Sequence, residues 1–197
     1  MMCRPVAIVC VLFGFLVNHL PAGEEVTLLT DQFDMLPSGA LSKVLWARAE
    51  YHYLPECAPK GPWSVTCYTS SIGSQRAWKI IDHKGQHALL QTYTPGADKH
   101  ISPTLLAGDP LWQDYRIAVS FAPATERRSG VMFRVRNNRC YYFFGVEEGN
   151  AVLKTVQDEL QFRKPLEKIL AKQSFPIKPG RNCRGLSNCE GSTSPRL

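Results

Sequence analysis

The chain has 197 residues, a net charge of +6, 44% hydrophobic residues and 20% charged residues. That length is enough for one domain with a real core. The 23 basic residues are scattered, with no block of five or six in a row, which excludes the concentrated basic face of a nucleic-acid binder.

Residues 1–23 read as a secretory signal peptide. Arg4 supplies the positive end, residues 6–17 form an apolar run, and Leu20-Pro21-Ala22-Gly23 supplies small residues for cleavage. The run is shorter than the roughly 20 residues a membrane span needs. Cys10 lacks the preceding small residues of a lipoprotein signal. The product is therefore expected to be secreted or periplasmic, with no membrane attachment after cleavage. Cleavage removes Arg4 and no acid, lowering the net charge from +6 to +5.

Export permits disulfides. Five cysteines lie beyond the signal: Cys57, Cys67, Cys140, Cys183 and Cys189. Cys57 with Cys67 and Cys183 with Cys189 are near enough in sequence to close loops, leaving Cys140 over. Buried free thiols are the alternative. No spacing suggests zinc.

Asp31 and Asp34, with backbone carbonyls, are a candidate Ca²⁺ pair, although Ca²⁺ takes six to eight oxygens. Asp34 can equally cap a turn. Residues 51–62 read as long loops leading to a strand over residues 63–68. Trp63, between prolines and glycines, is the expected exposed aromatic platform. Residues 78–81 and 87–93 flank an Asp-His-Lys-Gly turn and form a predicted hairpin. Residues 102–106 make a short edge strand, because Pro103 removes a ladder donor. Tyr115, Ile117, Val119 and Phe121 alternate along the next strand and face the core. Residues 122–130 are a polar loop.

Residues 131–146 form the most informative segment: two runs rich in β-branched and aromatic residues around Asn137-Asn138-Arg139. A three-residue turn there pairs Arg134 with Tyr142 and Arg136 with Cys140 on one face, which Met132 and Phe144 continue. Phe133 and Phe143 then pair on the other. Two arginines in line on an apolar strand need water or an acidic partner. Residues 147–150 turn the chain into a strand over residues 151–156. Residues 158–172 are either a helical turn or a strand. After residue 180 the apolar alternation stops, and residues 181–197 read as an irregular tail: either a disordered terminus or the product of a frameshift or premature stop. The fold class is all-β, an antiparallel sandwich occupying residues 24–180.

The chemistry points to binding. No two carboxylates share a strand at a glycosidase spacing. Glu147-Glu148 and Asp158-Glu159 are adjacent pairs that read as solvated charges. No nucleophile elbow or P-loop occurs, and the histidines are scattered. A sugar site needs an aromatic face and planar donors. Arg134 and Arg136 can fork onto uronic-acid carboxylates, with Tyr142 beside them and Trp63 as platform. No cofactor is required beyond the candidate Ca²⁺.

Phe33-Asp34, Trp78, Pro103, Trp112-Gln113-Asp114-Tyr115, Gly130 to Arg134 and Tyr141-Tyr142 occur in an order that resembles the concanavalin A-like lectin/glucanase superfamily, laminin-G-like modules included. Residues 51–60 and 139–145 look most like the N-terminal module of bacterial rhamnogalacturonan lyases, secreted enzymes that degrade pectin. The resemblance implies a jelly roll of two curved sheets, here lacking its last strands. It also implies a non-catalytic, lectin-like module for acidic pectin-type polysaccharide. Two alternatives stay open: a truncated or active polysaccharide lyase or glycoside hydrolase, and a laminin-G-like protein–protein adhesion module.

Overall fold

Two-residue turns organise the central hairpins of the molecule. The computed structural model describes residues 7–9, 13–17, 26–41, 61–66, 76–93, 103–125, 127–137, 140–157, 166–178, 180 and 183–189. Among these there is no helix. The strands are β1 (Ala7–Val9), β2 (Phe13–Val17), β3 (Val26–Asp31), β4 (Gly39–Ala40), β5 (Ser64–Thr66), β6 (Trp78–His83) and β7 (Gln86–Gln91). They continue as β8 (Thr104–Leu106), β9 (Tyr115–Phe121), β10 (Ser129–Asn137), β11 (Cys140–Glu147), β12 (Asn150–Gln157), β13 (Leu166–Ser174) and β14 (Cys183–Cys189).

Lys84-Gly85 joins β6 to β7, and Glu148-Gly149 joins β11 to β12. All four residues have positive φ, from 50° to 79°. That backbone twist matches the twist of the flanking strands, which is why short turns with glycine in second place close these hairpins. The Asp82 carboxylate accepts from the Gly85 N–H at 3.1 Å and the Asn150 side chain donates to the Glu148 carbonyl at 2.8 Å.

Every strand pairing is antiparallel. Three four-stranded sheets have the orders β1-β7-β6-β4, β10-β11-β12-β13 and β14-β9-β2-β3, and β5-β8 is a two-stranded ribbon. One core joins them: Phe33, Trp63, Val65, Ile80, Leu89, Ile117, Val119, Phe121, Val131 and Val146 are all buried within it. The alternation read for residues 115–121 holds, with Ile117, Val119 and Phe121 inward and Tyr115 packed against the cluster. A second cluster of Tyr141, Phe143 and Val156, with Met132 and Val135 against it, lies on the other face of the β10–β13 sheet.

Two stretches depart from expectation, and a third resolves an alternative the sequence left open. Ala7–Val9 and Phe13–Val17, inside the apolar run, pair as strands with β7 and with both β3 and β9. The stretch left between helix and strand is a strand from Leu166 onward. Cys183–Cys189 is no irregular tail but a strand paired with β9 along its whole length. Gly185 faces Val119 there, and a Cβ at that position would meet Val119 Cγ1 at 3.4 Å, so the small residue lets the ladders close. The extended strand also separates Cys183 from Cys189 by six residue steps, about 20 Å. A disulfide needs Cα atoms within about 7 Å, so these two cysteines do not close a loop together. The Leu20–Gly23 cleavage stretch, Cys57 and Cys67 themselves, and the last eight residues fall outside the described residues.

Candidate functional site

The β10–β11 hairpin carries the candidate arginines. Val131 pairs with Phe144, Met132 with Phe143, Phe133 with Tyr142, and Asn137 with Cys140. Between the last two pairs, residues 134–136 of β10 stand against Tyr141 alone, a β-bulge. A single-residue change of register reverses which face every side chain takes. The expected Arg134–Tyr142 and Arg136–Cys140 pairs are therefore replaced. The last pair is Asn137 with Cys140, one residue nearer the hairpin's end than expected, and the bulge absorbs the surplus; residues 138 and 139 lie outside the described residues. Tyr142 stacks on Phe133, ring centroids 5.4 Å apart at 20°. Past the bulge, Val135 joins Met132 on the second cluster, whereas strict alternation would have put it with Val131 and Phe133.

Arg134 and Arg136 are both exposed. Arg134 has φ 50°, the left-handed region, at a cost of roughly 1–2 kcal/mol for a residue with a side chain. The bulge holds it there, and its N–H donates to the Tyr115 hydroxyl at 3.3 Å.

Trp63 is not an exposed platform. It is 2% exposed. Its indole N–H donates to Asp31 Oδ2 at 2.5 Å, and its ring lies 5.6 Å from that of Phe33. The Gly/Pro-rich approach suggested a surface loop, but a carboxylate 32 residues earlier supplies the polar partner that allows the indole to be buried. The same Asp31 accepts the Phe33 N–H through Oδ1 at 2.6 Å. Both its oxygens thus serve the fold, securing a Phe33 that sits at φ 66°. Asp34 is exposed. Among the described residues, no three His, Cys, Asp or Glu side chains converge as a metal site. His87 has a structural role: its Nδ1 donates to the Phe33 carbonyl at 3.0 Å.

This sheet also carries a polar constellation that reading Glu147 as a solvated charge missed. Lys154 on β12 is 2% exposed. Its Nζ donates to Glu147 Oε2 at 2.5 Å and Glu167 Oε2 at 2.8 Å. Arg128 donates to Glu147 Oε1 through Nε at 3.0 Å and to both oxygens of Glu167 through Nη2. Both cations lie over the Phe143 ring, 5.6 Å and 5.5 Å from its centroid, a favourable placement for positive charge. Phe143 in turn lies over the paired Gly130 and Gly145. A Cβ on either glycine would come within 2.3 Å of a backbone oxygen of the other strand. The signal was present in the sequence. Val152, Lys154 and Val156 share one strand face, so an inward lysine required an acid.

Burial pushes Glu167 up, but the Lys154 hydrogen bond and the charge and hydrogen bonds of Arg128 outweigh it and hold Glu167 below the usual carboxylate range. Burial is also the largest influence on Tyr141 and raises its hydroxyl above the ordinary value, against the pull of Arg128. For Arg128, burial disfavours the charged form, yet Glu167 and Glu147 together raise it.

Lys154 bridges the two carboxylates, so their Oε2 atoms are at most about 5.3 Å apart, the two legs laid end to end. That upper limit reaches into the roughly 5–5.5 Å range of a retaining glycosidase pair, but the chemistry differs. A general acid needs a raised pKa, whereas Glu167 is lowered, and the ammonium occupies the place where a sugar would have to sit. The cluster is a balanced ionic fastening of two cations and two anions that links the residue leading into β10 with β11, β12 and β13.

A scan against protein-family models, a search of curated proteins and a search of solved structures each return no match.

Proposed function

We propose that this chain is a secreted, lectin-like module of the concanavalin A-like jelly-roll type, which binds acidic, uronate-containing polysaccharide through the bulged end of the β10–β11 hairpin. The observation that carries the reading is Arg134: an exposed arginine held in a left-handed conformation by a bulge, two residues from a second exposed arginine. Backbone strain of this kind persists only where the surroundings over-determine it and clusters at binding sites. A guanidinium presents a planar fork that matches a carboxylate, and charge-assisted pairs of this kind are among the stronger polar contacts. A net charge of +5 after signal cleavage favours the approach of a polyanion.

Tyr142 supports this site through its stack on Phe133. Trp63 takes no part in it, and neither Ca²⁺ nor another cofactor is required. The pectin component rests on the resemblance to the leading modules of rhamnogalacturonan lyases. A hydrolase at Glu147 and Glu167 is disfavoured, because both carboxylates are already committed to Lys154 and Arg128.

Affinity electrophoresis of the purified chain through gels containing polygalacturonate, with dextran as the neutral control, tests the reading. Retardation by polygalacturonate alone is expected. Arg134→Ala with Arg136→Ala should weaken it by a factor of about ten or more, given about 1.5–3 kcal/mol for a hydrogen bond to a charged group. A folded double variant that binds as the parent does rules out this site.

A further inference from the structure

Strand β13 is the edge of its sheet, and all nine of its residues are exposed. Leu166 is 49%, Ile169 55% and Leu170 46% accessible. Its inner side pairs with β12 from Leu166 to Ser174. Among the described residues, nothing pairs with its outer side. A long edge with apolar side chains is a template for another strand.

The register says which strand fits. Glu167, Ile169, Lys172 and Ser174 stand opposite Val156, Lys154, Val152 and Asn150, which alternate along β12 and so share one face. Leu166, Lys168, Ala171 and Gln173 take the other. The extra residue at the bulge, Leu170, preserves this alternation across the shift between Leu153 and Lys154. Two copies of β13 related by a two-fold axis must run antiparallel and oppose residues of the same face. With the axis at Ile169, Ile169 meets Ile169, Lys168 meets Ala171, Glu167 meets Lys172, and Leu166 meets Gln173. The carboxylate–ammonium pair occurs twice and no like charges are opposed. Moving the axis to Lys168 sets two lysines face to face, and moving it to Ala171 sets Lys172 against Ile169.

We propose that the outer edge of β13 is a self-association surface, and that the partner is a second copy of this chain paired antiparallel about Ile169. The two four-stranded sheets then form one continuous sheet across the axis. Glu167 already accepts from Lys154 and Arg128, and a carboxylate has about four acceptor sites, so Lys172 of the second copy adds to the fastening without displacing it.

Sedimentation velocity on the full chain, at rising concentration, tests this. The expected result is a reversible shift toward twice the mass of one chain, weakened by salt. Ile169→Lys places two ammonium groups on the axis and should weaken association by at least about tenfold. Lys172→Glu, which opposes two carboxylates, should also weaken it. Both positions are exposed, and circular dichroism of each variant checks that the sheets remain. A chain that stays monomeric at every concentration overturns the proposal. So does a dimer that Ile169→Lys leaves intact, because its interface must then lie elsewhere. The Arg134/Arg136 double variant should associate as the parent does, which separates this surface from the polysaccharide site.

Discussion

Lys154 reaches Glu167 diagonally across the β12–β13 ladder. Its own register partner is Ile169, while Glu167 stands opposite Val156, yet Nζ and Oε2 are 2.8 Å apart. The diagonal lets one buried ammonium serve an acid on each side, Glu147 on β11 and Glu167 on β13. It also ties the otherwise exposed edge strand to the interior.

Lys154→Met should therefore cost about 2–3 kcal/mol of stability, toward the low side of what losing one partner of a buried ion pair costs, because both carboxylates are partly exposed. Urea unfolding measures it. A loss near zero would mean that Arg128 alone satisfies both acids.

The cluster sets the acid limb of stability. Glu167 titrates lower in the fold than in the unfolded chain, whose ordinary value is 4.5. The unfolded state then binds the proton first as pH falls. The contribution is full above the ordinary carboxylate value and is lost as pH falls through the lowered folded one. Thermal melts of the parent should drop below about pH 4.5, and Glu167→Gln should flatten that drop while lowering stability at pH 7. Equal acid limbs in the two proteins would remove Glu167 as the titrating group.

Tyr141 predicts the opposite edge. Its hydroxyl is raised above 10.0, so the fold favours the neutral form. That stabilisation is present below the ordinary tyrosine value and is lost as pH rises through the raised folded one. Tyr141→Phe should shift the alkaline limb of the melting profile upward, read by calorimetry across the alkaline range.

The glycine pair under Phe143 gives a sharp contrast. Gly145→Ala places a Cβ 2.3 Å from the Ser129 carbonyl oxygen and 2.7 Å from Phe143 Cζ. It should destabilise by about 3 kcal/mol or prevent folding, as overpacking against backbone does. Gly149→Ala has nothing within 4 Å but sits at φ 74°, so it should cost only about 1–2 kcal/mol for the left-handed backbone. Chemical denaturation of the two variants side by side checks the ranking.

Trp63→Phe leaves Asp31 Oδ2 without its indole donor and should cost about 1–3 kcal/mol, while polygalacturonate binding stays as in the parent. Loss of binding in a folded variant would restore Trp63 to the site.

The antiparallel β character of this chain follows from local chemistry alone. Period-two apolar runs at residues 115–121, 131–137 and 151–156, and turn residues such as Lys84-Gly85 and Glu148-Gly149, act over a few residues. They specify strands and hairpins wherever the chain goes. Arg134 and Arg136 were legible in the same way, as charges on an apolar strand. What local pattern could not decide was register and long-range partnership. The bulge at residues 134–136 adds residues that alternation cannot count, so the expected Arg134–Tyr142 pair gave way to a Phe133–Tyr142 stack. Trp63 looked exposed until Asp31, far away in sequence, supplied an acceptor for its indole. Glu147 read as a solvated charge, and nothing linked it to Arg128, Lys154 or Glu167, because only the pairing of the strands brings these four within hydrogen-bonding distance beside one phenyl ring. A strand shows its own period in sequence. Which neighbour it meets, and at which residue, depends on closing loops around a shared core, and only the tertiary structure settles that.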